Sequence, residues 1–169
     1  MFNPYRSLFM KSPIALLLAL SLASPLAALA AADAHDHGNA APHKLELNAG
    51  KKWGTDQALR QAMGQIHKAV SQTLPAAHSG KATAADYDAF GKEVSDQVTY
   101  MVDNCKLDAA ADAQLHIIVA DLMGGIEAAQ GKQGAKKRAA GVVQVAQAAN
   151  AYGKYFEHTG WQPIKLPQH

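Results

Sequence analysis

From residue 55 onward the apolar positions recur at helical spacing in four blocks. In the first, Leu59, Met63, Ile66 and Val70 are spaced by four, three and four residues, which predicts a helix over about 56–73 with Thr55 as its N-cap. Leu74-Pro75 and then His78-Ser79-Gly80 mark its end. The second block, about 84–104, follows the capping residue Thr83 and aligns Tyr87, Phe90, Val94, Val98, Met101 and Cys105. Asp108 precedes the third, about 109–130, whose stripe is Leu115, Ile118, Leu122, Ile126 and Ala129. A Gly-rich stretch, Gly131 to Gly134, separates it from the fourth, about 135–157, with Val142, Val145, Ala149, Tyr152 and Phe156. Gly160 and Pro163 end the helical pattern, and Trp161 is predicted to fold back as a lid on the bundle end. Short connections make consecutive helices antiparallel neighbours. The predicted fold is all-α, an up-down-up-down antiparallel four-helix bundle over residues 53–169.

The region before the bundle reads differently. Residues 1–30 have the pattern of a secretory signal peptide: Arg6 and Lys11 precede a short apolar run, Ile14 to Ala23, and Ala28-Leu29-Ala30 offers the small residues of a cleavage site. Cleavage after Ala32 is an alternative. Residues 31–52 hold Ala, Gly, Pro and His35, His37 and His43 without a sustained period, and are expected to form a flexible arm in which Leu45-Glu46-Leu47 docks on the body. The expected location is the periplasm, with no stable membrane insertion after signal removal. Loss of the signal peptide removes two positive charges and brings the formal charge from +2 to zero, which argues against a nucleic-acid partner. Cys105 is the single cysteine, so no intramolecular disulfide forms even in an oxidising compartment.

Two segments at opposite ends of the bundle carry a resemblance. Leu59-Arg60-Gln61-Ala62-Met63 in the first helix and Asn150-Ala151-Tyr152-Gly153-Lys154-Tyr155 in the last look like the two haem-gripping ends of soluble periplasmic cytochrome b, a four-helix-bundle family. The resemblance implies a Met on the first helix and a His on the last as axial ligands. Met63 matches the first, but Gly153 stands where the His is implied, so the chain is expected to hold no stoichiometric haem. Asn104-Cys105-Lys106-Leu107 and the aromatic tail to Trp161 have no counterpart there and suggest a separate bundle family with a different cargo.

Antiparallel geometry, at ~1.5 Å per residue, brings Met63, Met101 and His116 to a similar height near one end, with Cys105 about a turn below. Thioether, imidazole and thiolate donors suit copper, and the soft sulfurs favour Cu(I). Each has an ordinary role beside this: methionines on a core stripe pack, a boundary His meets solvent, and a helix-end Cys is a small apolar group. A second constellation is His35-Asp36-His37, a short His-rich tract of the kind that binds metal; after cleavage at Ala32, Asp33-Ala34-His35 would form a square-planar Cu(II) or Ni(II) site. No nucleophile elbow, phosphate loop or His-Glu-x-x-His pattern occurs, so an enzyme is not expected. The leading expectation is a secreted bundle that binds a metal ion, copper first, as carrier, buffer or stress protein, with a possible periplasmic protein partner. The alternatives are a b-type haem electron carrier and a metal-free partner-binding bundle.

Overall fold

The computed structural model describes residues 44–167. Within them, helices α1 (Gln57–His78), α2 (Ala84–Asn104), α3 (Ala109–Ala129) and α4 (Arg138–Tyr155) form an all-α four-helix bundle, with a single 3-10 turn, Ala135–Lys137, leading into α4. Each helix packs on its sequence neighbours, and α1 also packs on α4, so the four close into a ring. The stripes read from the sequence form the core. Leu59, Met63, Ile66, Val70, Val94, Ile118, Leu122, Val142, Val145 and Tyr152 are all fully buried. Removing this apolar surface from water is the main favourable term in folding, and no polar or charged residue is buried among the described residues.

Helix boundaries moved where side chains found other partners. Asp56, not Thr55, caps α1: its Oδ1 accepts the Leu59 N–H at 2.7 Å. Thr55 is one residue too early and instead donates its hydroxyl to the Glu157 carbonyl at 2.6 Å. α1 also continues past Leu74-Pro75 to His78, because Leu74 and Ala77 still fall on the buried face. Proline there costs one backbone bond near the helix end, where few remain to lose. Beyond it, the Lys81 and Ala82 N–H groups close on the Ala76 carbonyl. The predicted starts of α2 and α3 agree with the structure. Thr83 and Asp86 form a reciprocal capping box, and Asp108 accepts the Ala110 and Ala111 N–H groups. α4 stops at Tyr155 because Phe156 turns extended and pairs with Trp53: Trp53 N–H donates to the Tyr155 carbonyl and Glu157 N–H to the Trp53 carbonyl, both at 2.8 Å.

α3 and α4 make the most extensive helix pair, and two glycines permit it. A Cβ on Gly141 would lie 2.6 Å from the Gly125 carbonyl oxygen and 2.9 Å from the Ala128 carbonyl carbon. A Cβ on Gly125 would meet the Gly141 carbonyl and the Val145 N–H nitrogen, each at 2.9 Å. Both obstacles are backbone, which cannot rotate away. Gly124, next in sequence, differs: an added Cβ would meet only the Gln144 side chain. We therefore expect Gly141→Ala to cost about 1–3 kcal/mol by forcing α3 and α4 apart. Gly124→Ala should be neutral, or stabilising by up to about 1 kcal/mol through helix propensity. Urea denaturation of both variants measures this, and equal losses would remove the distinction.

Candidate functional site

The lower end of the bundle, where α1 and α3 begin and α2 and α4 end, is organised around the Asp56 carboxylate. Its Oδ1 caps α1, and its Oδ2 accepts the Lys106 N–H at 2.6 Å, which ties the α2–α3 turn to the start of α1. The Cys105 thiol donates to the same carboxylate. Burial opposes ionisation of Asp56, but these hydrogen bonds, helped by the Arg60 charge, hold its pKa below the usual carboxylate value. The effect on Cys105 is the reverse. Burial first, then the negative charge of Asp56 and its hydrogen bond, with Asp112 adding, push the thiol up to about 12. At neutral pH Cys105 is a thiol, not a thiolate.

Three of the four bundle residues singled out as metal ligands line one groove between α2 and α3. Met101, Cys105 and His116 surround it with Val102, Asp112, Leu115 and Val119, enclosing about 320 Å³. Met101 is almost wholly buried at its floor, Cys105 is half-buried, and the His116 side chain is 73% exposed at its rim. His116 Nδ1 lies 2.9 Å from the Asp112 carbonyl, which can only accept, so Nδ1 carries the proton and the Nε2 lone pair is left for another partner. Met63 is fully buried in the core and does not line this groove. Among the described residues, no group of three or more His, Cys, Asp or Glu side chains is placed to hold a metal ion, so a site here needs the Met101 thioether as one donor. His35 and His37 lie outside the described residues.

On the α1–α4 side of the same end, the chain beyond α4 folds back over Gly153. The Trp161 indole occupies the space that a side chain at 153 would require. Its ring packs edge-on against Tyr152 at 4.9 Å and His67 at 5.1 Å, with His158 at 5.0 Å, and its indole nitrogen is buried without a hydrogen-bond partner. The same Asn-Ala-Tyr segment anchors this tail. Asn150 bonds in both directions with the Ile164 backbone, at 2.7 and 2.9 Å, and the Tyr152 hydroxyl lies 2.9 Å from His158 Nδ1. His67 Nε2 donates to the Gln162 carbonyl at 2.9 Å. Before the bundle, Glu46 N–H bonds Gln114, and the Trp53 indole bonds the Glu46 carbonyl. Sequence reasoning identified Trp161 as a lid but missed Asp56, Arg60 and the pairing of Tyr152 with His158. The one available signal was an Asp directly preceding a helix.

No protein-family model, curated protein or solved structure matches the chain.

Two outcomes follow from the tail geometry. Gly153→Ala should destabilise by about 1–3 kcal/mol by displacing the Trp161 indole. Adding Trp161→Ala should leave little further loss, giving a coupling energy measurable in a double-mutant cycle. His158 is held below the ordinary His pKa of 6.5 by burial first, then by the positive charges of Arg60 and His67. A depressed folded-state pKa means the unfolded chain binds the proton more tightly. The corresponding stability is present above about pH 6.5 and is lost as pH falls through the folded-state value. Urea midpoints at pH 7.5 and 5 should differ less in His158→Gln than in the wild type; an equal difference would assign the acid loss to other groups.

Proposed function

We propose that this chain is a secreted periplasmic four-helix-bundle protein that binds a transition metal, copper foremost, and acts as a carrier, buffer or stress protein. The observation that supports this most is the groove shared by Met101, Cys105 and His116, which offers a thioether, a sulfhydryl and an imidazole to one small volume. Such a donor set favours Cu(I). His116 has its tautomer set by the Asp112 carbonyl, the kind of outer contact that orients an imidazole ligand. Cys105, with its pKa at about 12, must release a proton to become a ligand, so metal affinity should rise by up to about tenfold per pH unit across the neutral range. The arm's His35 and His37 would supply a separate site better suited to Cu(II).

The haem-carrier alternative is less well supported, since Met63 is sealed in the core and Trp161 lies against Gly153. The metal-free, partner-binding alternative draws on exposed apolar side chains, Val102 at 69% and Met123 at 39%. Competition against a Cu(I) chelator under reducing conditions separates the readings. Met101→Leu and His116→Ala should each weaken Cu(I) binding at least about tenfold, a loss of about 1.4 kcal/mol, whereas Met63→Leu should not. Wild-type binding no tighter than ~10 μM would overturn the metal reading and favour the partner-binding bundle.

A further inference from the structure

The α1–α4 side of the same end carries a second polar cluster that the metal reading does not use. Arg60, half-buried in the first turn of α1, donates through Nη1 to the Thr55 carbonyl at 2.8 Å and to Thr55 Oγ1 at 3.0 Å. Its Nε–H and both Nη2–H groups have no protein acceptor among the described residues, and no carboxylate there forms an ion pair with it. The Asp56 oxygens are already engaged by Leu59, Lys106 and Cys105. Arg60 lines a cavity of about 520 Å³ with Gly54, Thr55, Glu157, His158 and Thr159. Arg60 is the one permanently cationic side chain of this lining. Glu157 is the one acidic residue of the lining; it is exposed, and its backbone carbonyl is taken by the Thr55 hydroxyl.

We propose that this cavity binds a small oxyanion, a carboxylate or a phosphate, with two of its oxygens on the Nε–Nη2 edge of Arg60 and the Thr159 hydroxyl and His158 imidazole beside them. A guanidinium edge presents two parallel N–H donors at the spacing of such oxygens, which a lysine ammonium cannot do. Without a ligand, Arg60 would serve only as a clamp on Thr55, and that role uses Nη1 alone. An anion bound beside His158 also favours its protonated form, so binding and the titration of His158 are linked.

The test uses the full chain and the His158 ring signals in NMR, titrated separately with inorganic phosphate and with acetate at ionic strength held constant by chloride. At least one anion should shift His158 saturably, with Kd about 1 mM or tighter, and raise its pKa. Arg60→Lys, which keeps the charge, should weaken binding about tenfold or more, and Arg60→Gln should abolish it, with helicity by circular dichroism confirming the fold. Binding of phosphate alone would identify a tetrahedral ligand and binding of acetate alone a planar one; either supports the proposal. It is overturned if neither anion saturates below about 10 mM, if chloride produces the same shift, or if Arg60→Lys binds like the wild type.

Discussion

One carboxylate at the lower end of the bundle interacts with a residue of each candidate binding region, Cys105 in one and Arg60 in the other. Asp56 neutralises an otherwise unsatisfied helix start, ties the turn between α2 and α3 to it, and accepts the only thiol in the chain. A helix N-cap is an ordinary device, worth about 0.5–2 kcal/mol. Here the same two oxygens also decide chemistry. Burial and their negative charge together keep Cys105 protonated on the α2–α3 side, and on the α1–α4 side the Arg60 charge acts back on them while its Nη1 holds Thr55. A metal that takes Cys105 must compete with Asp56 for that sulfur.

The bundle above this end depends on close approach. Gly125 and Gly141 let two backbones meet where any side chain would separate them, and the aliphatic layers of Ile118, Leu122, Val142 and Val145 are buried on either side. Gly153 uses the same absence of a side chain for another purpose, since it seats an aromatic ring from the tail. The indole nitrogen held there has no acceptor, which costs about 1–3 kcal/mol, so the ring is kept in place by packing and by its neighbours' hydrogen bonds rather than by its own. Asn150 and Tyr152 are therefore accounted for by holding the tail, at Ile164 and His158 respectively.

Much of the fold was legible because helical periodicity is a local property. The apolar spacing in each block, the capping box at Thr83 and Asp86, and the cap at Asp108 each involve residues within a few positions of one another. The candidate groove was legible in part, since heights along antiparallel helices follow from residue counts. That argument put Met63, Met101 and His116 at one level; Met101 and His116 line one groove, while Met63 is buried in the core and does not line it.

The number of helices, their order and the faces they bury follow from apolar spacing and short connections along the chain. Tertiary structure alone decided the rest. Thr55 lost its capping role to Asp56 because its hydroxyl meets Glu157, 102 positions away along the chain. Helix α4 ended early because Phe156 pairs with Trp53, and the place of the absent side chain at 153 went to Trp161. Cys105 became a firmly protonated thiol through its burial at the bundle end and, after that, the Asp56 carboxylate at the start of α1. These outcomes share one cause. Each depends on which distant groups converge at the bundle end, and neither periodicity nor local propensity carries that information.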